Sequence, residues 1–240
     1  MTLPSALQRT RIKICGITRE ADLDAVVSAG ADAVGFVLYP RSPRYVSPAR
    51  AGALARRLPP FVTPVLLFVN AEPAEIAEAC RQVPGATLQF HGDESPAMCT
   101  DAANRHGLRF IRAARIPAPG SGPPFDLIKY GQHFQSAQAI LVDAWVDGYG
   151  GGGKTFNWSL LPPSVNFPLV LSGGLDEANV SDGIQLLRSR CRNLAVDVSS
   201  GVEPDGPGNK GIKCARKIMN FVAAVRRADA TEPVSTHEHL

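Results

Sequence analysis

The stretch AILVDAWVDGYGGGGKTFNWSLLPP (residues 139–163) admits two different folds. Its segment GYGGGGKT (148–155) satisfies G-x-x-x-x-G-K-[ST], the pattern of a nucleotide-binding loop. That loop needs a strand before it and a sustained helix after it, so that backbone N–H groups and a helix N-terminus converge on the phosphates. AILVDA (139–144) supplies the strand. TFNWSLLPP (155–163) does not supply the helix, because Pro162 and Pro163 arrive within about two turns and proline is tolerated only at a helix start. The stretch therefore reads as one strand, one glycine loop and one stub, a unit of some other phosphate-binding fold.

Working outward, the same strand-then-helix alternation runs through the chain. The strands read as RIKIC (11–15), AVGFVL (33–38), PVLLFV (64–69), ATLQF (86–90), RFIRAA (109–114), AILVDA (139–144), PLVLSG (168–173) and LAVDVS (194–199). Helices read from their punctuation. TREADLDAVVSAG (18–30) opens on Thr18 as a cap and stops at Gly30, and SPARAGALARRLPP (47–60) opens on Ser47 followed by Pro48. EPAEIAEACRQ, ESPAMCTDAANRHG, LDEANVSDGIQLLRSR and GNKGIKCARKIMNFVAAVRR behave alike. The fifth helix, within GPPFDLIKYGQHF, and the sixth, the stub after the glycines, are weak. Eight units of roughly 25 to 30 residues give an α/β fold, a single-domain (β/α)8 TIM barrel of the phosphate-binding type. A doubly wound open sheet would place a glycine-rich turn after the first strand, and CGITRE offers one glycine. The expected boundaries are an N-terminal extension over 1–10, the barrel over 11–227 and a flexible polar tail over 228–240.

The 240 residues carry a net charge of +3 with Lys and Arg scattered, so no basic stripe points to nucleic acid and no apolar run points to a membrane. MTLPSALQRTRIKIC lacks the apolar core of a signal peptide. Five cysteines, odd in number and without metal-type spacing, argue against a disulfide framework or zinc site and fit a reducing cytoplasm.

In such barrels chemistry sits at the C-terminal ends of the strands. Cys15 ends strand 1, strand 4 runs into Gln89 and His91, Asp143 ends strand 6, and Asp197 lies on strand 8. Period-two alternation turns Ile12 and Ile14 toward the helices and Lys13 and Cys15 inward. Three glycine-rich segments follow strands 6, 7 and 8, so Gly152, Gly153, Gly173, Gly174, Ser199, Ser200 and Gly201 are candidates for holding a phosphate through backbone N–H groups. A lone buried cysteine is commonly a small hydrophobe and a strand-end aspartate a structural acceptor. Together they can divide acid and base work, with His91 as an alternative base or a loop anchor. No cluster of His, Asp and Glu suggests a metal.

These residues resemble one family, phosphoribosylanthranilate isomerase. The resemblance runs through KICGIT (13–18), GADAVGFVLYPRSPRYVSP (30–48), LQFHGDE (88–94), LVDAWVDGYGGGGKTFNW (141–158), LVLSGGLDEANV (169–180), AVDVSSGVE (195–203) and KGIKCARKIMNFV (210–222). It implies an Amadori rearrangement of N-(5'-phosphoribosyl)anthranilate in tryptophan biosynthesis, without cofactor or metal. It also implies Cys15 as general base, Asp143 as general acid and Arg44 as the ligand of the anthranilate carboxylate. The implied partner is a small phosphosugar, with the chain a monomer or homodimer. Gln89, His91 and Asp197 are expected to line the substrate. An ordinary thiol costs about 2 kcal/mol to ionise at neutral pH. Lys13 is placed to lower that cost or simply to pair with Asp197. The related histidine-pathway isomerase carries aspartate at the end of strand 1 where this chain has Cys15, and a silent phosphosugar-binding barrel remains the alternative outside catalysis.

Overall fold

In the computed structural model, residues 9–117, 125–144, 157–206 and 208–230 are described. Eight parallel strands close on themselves in sequence order, each hydrogen-bonded to the next and β8 back to β1. They are β1 (Arg11–Cys15), β2 (Ala33–Val37), β3 (Thr63–Phe68), β4 (Thr87–Phe90), β5 (Phe110–Ile116), β6 (Ala139–Ala144), β7 (Leu169–Leu171) and β8 (Leu194–Val198). Between and after them run α1 (Glu20–Ser28), α2 (Pro48–Ala55), α3 (Pro73–Gln82), α4 (Pro96–His106), α5 (Leu127–His133), α6 (Val180–Leu187) and α7 (Ala215–Ala230). The unit after β6 has only the 3₁₀ turn Trp158–Leu160 among its described residues, in keeping with a chain that meets two prolines there.

Alternation sorts the strand side chains into two layers. Ile12, Ile14, Val34, Phe36, Leu66, Phe68, Leu88 and Phe90 join the apolar layer that also holds Leu23, Leu54, Ile218 and Phe221 of the helices. The complementary positions fill the barrel interior, with Cys15, Val37, Leu67 and Val69 in one cluster and Ala113, Ala139, Leu141 and Val170 in another.

Helix starts follow their local chemistry. The Ser47 side chain accepts from Arg50 N and the Ser95 side chain from Met98 N, each with proline at the first helical position. Thr18 is a correction: the cap position of α1 is Arg19, without a side-chain cap bond, and the Thr18 hydroxyl donates to Gly211 O at 2.9 Å instead. Arg19 donates through Nε and Nη2 to Asp22 at 3.0 and 2.6 Å, which fastens the first turn in the absence of a cap. At the other end, α7 continues to Ala230, three residues past the expected barrel boundary. Asp229 accepts from both Thr10 N and Thr10 Oγ1, so Thr10 is tied to the barrel. The remainder of the expected extension and tail lies outside the described residues.

Candidate active site

Closure of the barrel sets β1 beside β8 with Lys13 opposite Asp197. Lys13 Nζ donates to Asp197 Oδ1 at 2.8 Å, both side chains about 6% exposed. Burial alone would lower the Lys13 pKa, but Asp197 and Cys15 beside it raise the net value above that of an ordinary lysine, so the ammonium persists inside the barrel. Two residues on, Cys15 is buried at the strand end. Burial pushes its thiol up and Asp197 adds to the rise, while Lys13 pulls it down; the net shift is upward. Burial and Asp197 thus favour the thiol, and the neighbouring cations, Lys13 foremost, favour the thiolate. Of the two roles considered for Lys13, the pairing with Asp197 is the one the geometry displays. Gly35 on β2 makes the room: a Cβ there would lie 2.7 Å from Cys15 Sγ and 3.1 Å from Lys13 Cε.

A second group gathers around β4 and β6. Gln89 and His91 are buried, and Gln89 Nε2 lies 3.2 Å from His91 Nδ1. His91 Nε2 lies 3.1 Å from Asp143 Oδ2, so the histidine partners the carboxylate rather than standing apart as a separate base. Gly173 after β7 closes over Asp143. Its φ is +81°, and a Cβ would meet Ala144 N at 2.6 Å and Asp143 Oδ1 at 2.8 Å, so both conformation and space demand glycine.

Arg44 reaches the same end of the barrel from the loop between β2 and α2. Its side chain crosses Gly16, where a Cβ would sit 2.5 Å from Arg44 Cδ, and forks onto Glu203 through Nε and Nη2 at 2.8 Å each. Glu203 Oε1 also accepts from Gly211 N at 3.0 Å and from Lys213 Nζ at 2.9 Å. Lys213 Nζ continues to Ser199 O and Oγ, and Ser199 Oγ donates to Cys15 O at 3.0 Å. A continuous hydrogen-bonded chain thus joins the arginine to the backbone of the cysteine. The network pulls Glu203 below the usual carboxylate range despite its burial, chiefly through Arg44 and Lys213. Burial draws Lys213 below the ordinary lysine range, with Glu203 opposing the fall.

Of the residues singled out from the sequence, Cys15, Arg44, Asp197 and Ser199 meet at one cluster, and Gln89, His91, Asp143 and Gly173 at another. Gly174 has φ +63°, and Ser200 and Gly201 form a 3₁₀ turn, Ser200–Val202, after β8. Position 201 faces Leu175, whose carbonyl would be 1.9 Å from a Cβ, so the loops after β7 and β8 are in direct contact. Gly152, Gly153 and Lys154, with the whole of GYGGGGKT, lie outside the described residues. Glu203 and Lys213 were not singled out from the sequence, although both fall in quoted motifs; their partners are 159 and 10 residues away. Among the described residues no group of three His, Cys, Asp or Glu is arranged to hold a metal.

The family model of N-(5'-phosphoribosyl)anthranilate (PRA) isomerase matches residues 12–224. The chain belongs to the PRA isomerase family. It is 61% identical over 222 residues to the N-(5'-phosphoribosyl)anthranilate isomerase of Methylibium petroleiphilum, covering 92% of this chain and 96% of that one. Among solved structures, it is similar to monomers of the dimeric phosphoribosylanthranilate isomerase from Thermotoga maritima (34% identity, TM-score 0.71, covering 91% and 99% of the two chains). It is likewise similar to a phosphoribosylanthranilate isomerase in complex with reduced 1-(o-carboxyphenylamino)-1-deoxyribulose 5-phosphate (33% identity, TM-score 0.71, covering 91% and 99%). Family membership makes the protein an isomerase of tryptophan biosynthesis, on the eight-stranded barrel that the sequence pattern called for.

Proposed function

We propose that the chain converts N-(5'-phosphoribosyl)anthranilate into 1-(2-carboxyphenylamino)-1-deoxyribulose 5-phosphate, with Cys15 as base and Asp143 as acid. The observation that carries the assignment of roles is the placement of a thiol beside a buried lysine and of a carboxylate beside a buried histidine, at the ends of β1 and β6. Asp143 gives a proton to the ring oxygen as the C1'–O4' bond breaks, and the nitrogen lone pair forms the C1'=N Schiff base. The Cys15 thiolate then removes the C2' proton, and that electron pair becomes the C1'=C2' bond of the enolamine. Protonation at C1' and loss of the enol proton yield the aminoketose. C2' is oxidised as C1' is reduced within the same molecule and the protein exchanges only protons with it, so the reading uses no cofactor.

Lys13 favours the thiolate by charge, and His91 is the proton neighbour of Asp143. Arg44 engages the substrate carboxylate through donors that Glu203 does not use. Gln89 and Asp197 support the reacting groups as lining residues. Gly173, Gly174, Ser199, Ser200, Gly201 and the glycines 152 and 153 offer backbone N–H groups to the phosphate. No helix of the described residues is long and apolar enough to cross a membrane, and a cytoplasmic site of action fits a substrate made and used in biosynthesis. Consumption of the substrate, followed by loss of anthranilate-adduct fluorescence, tests the activity; soluble protein without turnover would favour the silent binding barrel.

The homodimer is the assembly we favour, supported by the dimeric Thermotoga relative. Phe61 is 100% exposed with φ +72°, a costly conformation for an aromatic residue. It stands beside a cavity of about 730 Å³ at the strand-start end, lined by Ala33, Val65, Ile111, Leu169 and Val170. A knob and a hole on one face are self-complementary across a two-fold axis.

A further inference from the structure

Two cations share one carboxylate beside Cys15. Arg44 and Lys213 both bond Glu203, at 2.8 and 2.9 Å, and the side chains of all three are at most 7% exposed. Lys213 Nζ donates to three acceptors, Glu203 Oε1, Ser199 O and Ser199 Oγ, which is the full complement of an ammonium. The neighbouring Lys13–Asp197 pair is neutral as a unit. The cluster of Arg44, Glu203 and Lys213 therefore carries a net charge of +1 (two cations less one anion) inside the protein. A buried charge without a counter-ion is expensive, and the cost is recovered when an anion arrives. The fork onto Glu203 uses the Nε hydrogen and one Nη2 hydrogen of Arg44, which leaves both Nη1 hydrogens and the second Nη2 hydrogen of the guanidinium for an incoming anion. Lys213, with its donors used, supplies charge without direct contact.

We propose that Glu203 and Lys213 are positioning residues for recognition of the substrate's aryl carboxylate: Glu203 fixes the guanidinium, and Lys213 leaves the cluster one positive charge in excess, which the carboxylate neutralises. The proposal rests on the assignment of Arg44 to the carboxylate made above. Selectivity for a carboxylated aniline over a plain aniline is then a property of a three-residue charge balance and not of Arg44 alone. Lys213 also lies within electrostatic reach of Cys15, where it favours the thiolate, so the same cation couples occupancy of the carboxylate site to the state of the base. An arriving carboxylate cancels part of that influence, which leaves Lys13 as the dominant cation at the thiol.

The test compares the affinity of two probes: the reduced product analogue with its carboxylate, and the same compound lacking it. Their affinity ratio in the wild-type protein is the reference. Lys213→Met brings the cluster to zero charge, so the ratio should fall by about ten-fold or more, with the affinity for the decarboxylated probe within about three-fold of wild type. Glu203→Gln raises the charge to +2 and keeps an oxygen for Arg44 Nε, Gly211 N and Lys213 while losing the acceptor of Arg44 Nη2, so its ratio should stay well above that of Lys213→Met. A merely structural role would weaken both probes in both variants. Loss of the ratio in both variants alike, or its retention in Lys213→Met, overturns the proposal. Should Lys213→Met fail to fold, Lys213→Gln carries the same expectation. Arg44→Ala separates the two levels: if it leaves the ratio intact, the carboxylate assignment itself is wrong. If it abolishes the ratio while Lys213→Met does not, only the charge-balance proposal falls.

Discussion

Gly35→Ala tests the placement of the base without touching it. Residue 35 is the register partner of Cys15 across β1 and β2. A Cβ there would lie 2.7 Å from Cys15 Sγ, 3.0 Å from Cys15 Cα and 3.1 Å from Lys13 Cε. Ordinary heavy-atom contacts are about 3.5 Å or longer, so the thiol must retreat by about 1 Å. The backbone contact at Cys15 Cα leaves the strand little freedom to absorb the strain by itself. Overpacking of this kind costs about 1–3 kcal/mol, and at about 2–4 °C per kcal/mol the Tm should fall by about 2–12 °C. A displacement of about 1 Å at a reacting group costs on the order of 10²-fold in rate. The expected result is a folded variant with kcat reduced about 100-fold and KM changed by less than about three-fold, measured by fluorescence of the anthranilate adduct. A folded Gly35→Ala protein with kcat within about three-fold of wild type would refute the claim that the position of the Cys15 sulfur governs turnover.

Other consequences follow from the same geometry. Arg44→Ala should raise KM by about ten- to a hundred-fold with a smaller change in kcat, since a charged hydrogen bond is worth about 1.5–3 kcal/mol, and Arg44→Lys should not rescue it because lysine cannot fork onto Glu203; equal losses in kcat and KM would contradict this. Burial pushes the Cys80 thiol up to about 11 and the Cys99 thiol up to about 12, from 9.0. The folded protein then holds protons that the unfolded chain sheds above pH 9, so stability is intact below that pH and declines as pH rises toward 11 and 12. Urea unfolding of Cys99→Ala should show a shallower alkaline decline than wild type, and an unchanged slope would count against it. Phe61→Glu should shift the protein to monomers in sedimentation equilibrium while leaving the fold intact; a dimer that tolerates the charge would place the interface elsewhere.

The strand series was legible because each strand's apolar run is bounded by turn residues, and because Ile12 and Ile14 alternate with Lys13 and Cys15 in the pattern that a two-layer barrel needs. Ser47 and Pro48 gave the start of α2 for a purely local reason. Thr18 did not behave as a cap because Gly211, far along the chain, accepts its hydroxyl proton. The same kind of distance hid Glu203: nothing near SSGVE announces that Arg44 will reach it across Gly16. The Lys13–Asp197 pair could be anticipated, because barrel closure makes β1 and β8 neighbours whatever the loops do. GYGGGGKT matches a nucleotide motif only formally, because the described residues that follow it form the 3₁₀ turn Trp158–Leu160 and not the sustained helix such a motif requires.

Cys15 and Asp143 are assigned chemistry that binding alone does not perform. Single-turnover rates and product-analogue affinities of Cys15→Ala and Asp143→Asn, measured on folded protein, decide that assignment. Turnover should fall by about 10² to 10⁴ in each variant while the reduced product analogue still binds within about ten-fold of wild type. Near-normal turnover in Cys15→Ala, or loss of analogue binding in step with loss of rate, would contradict it.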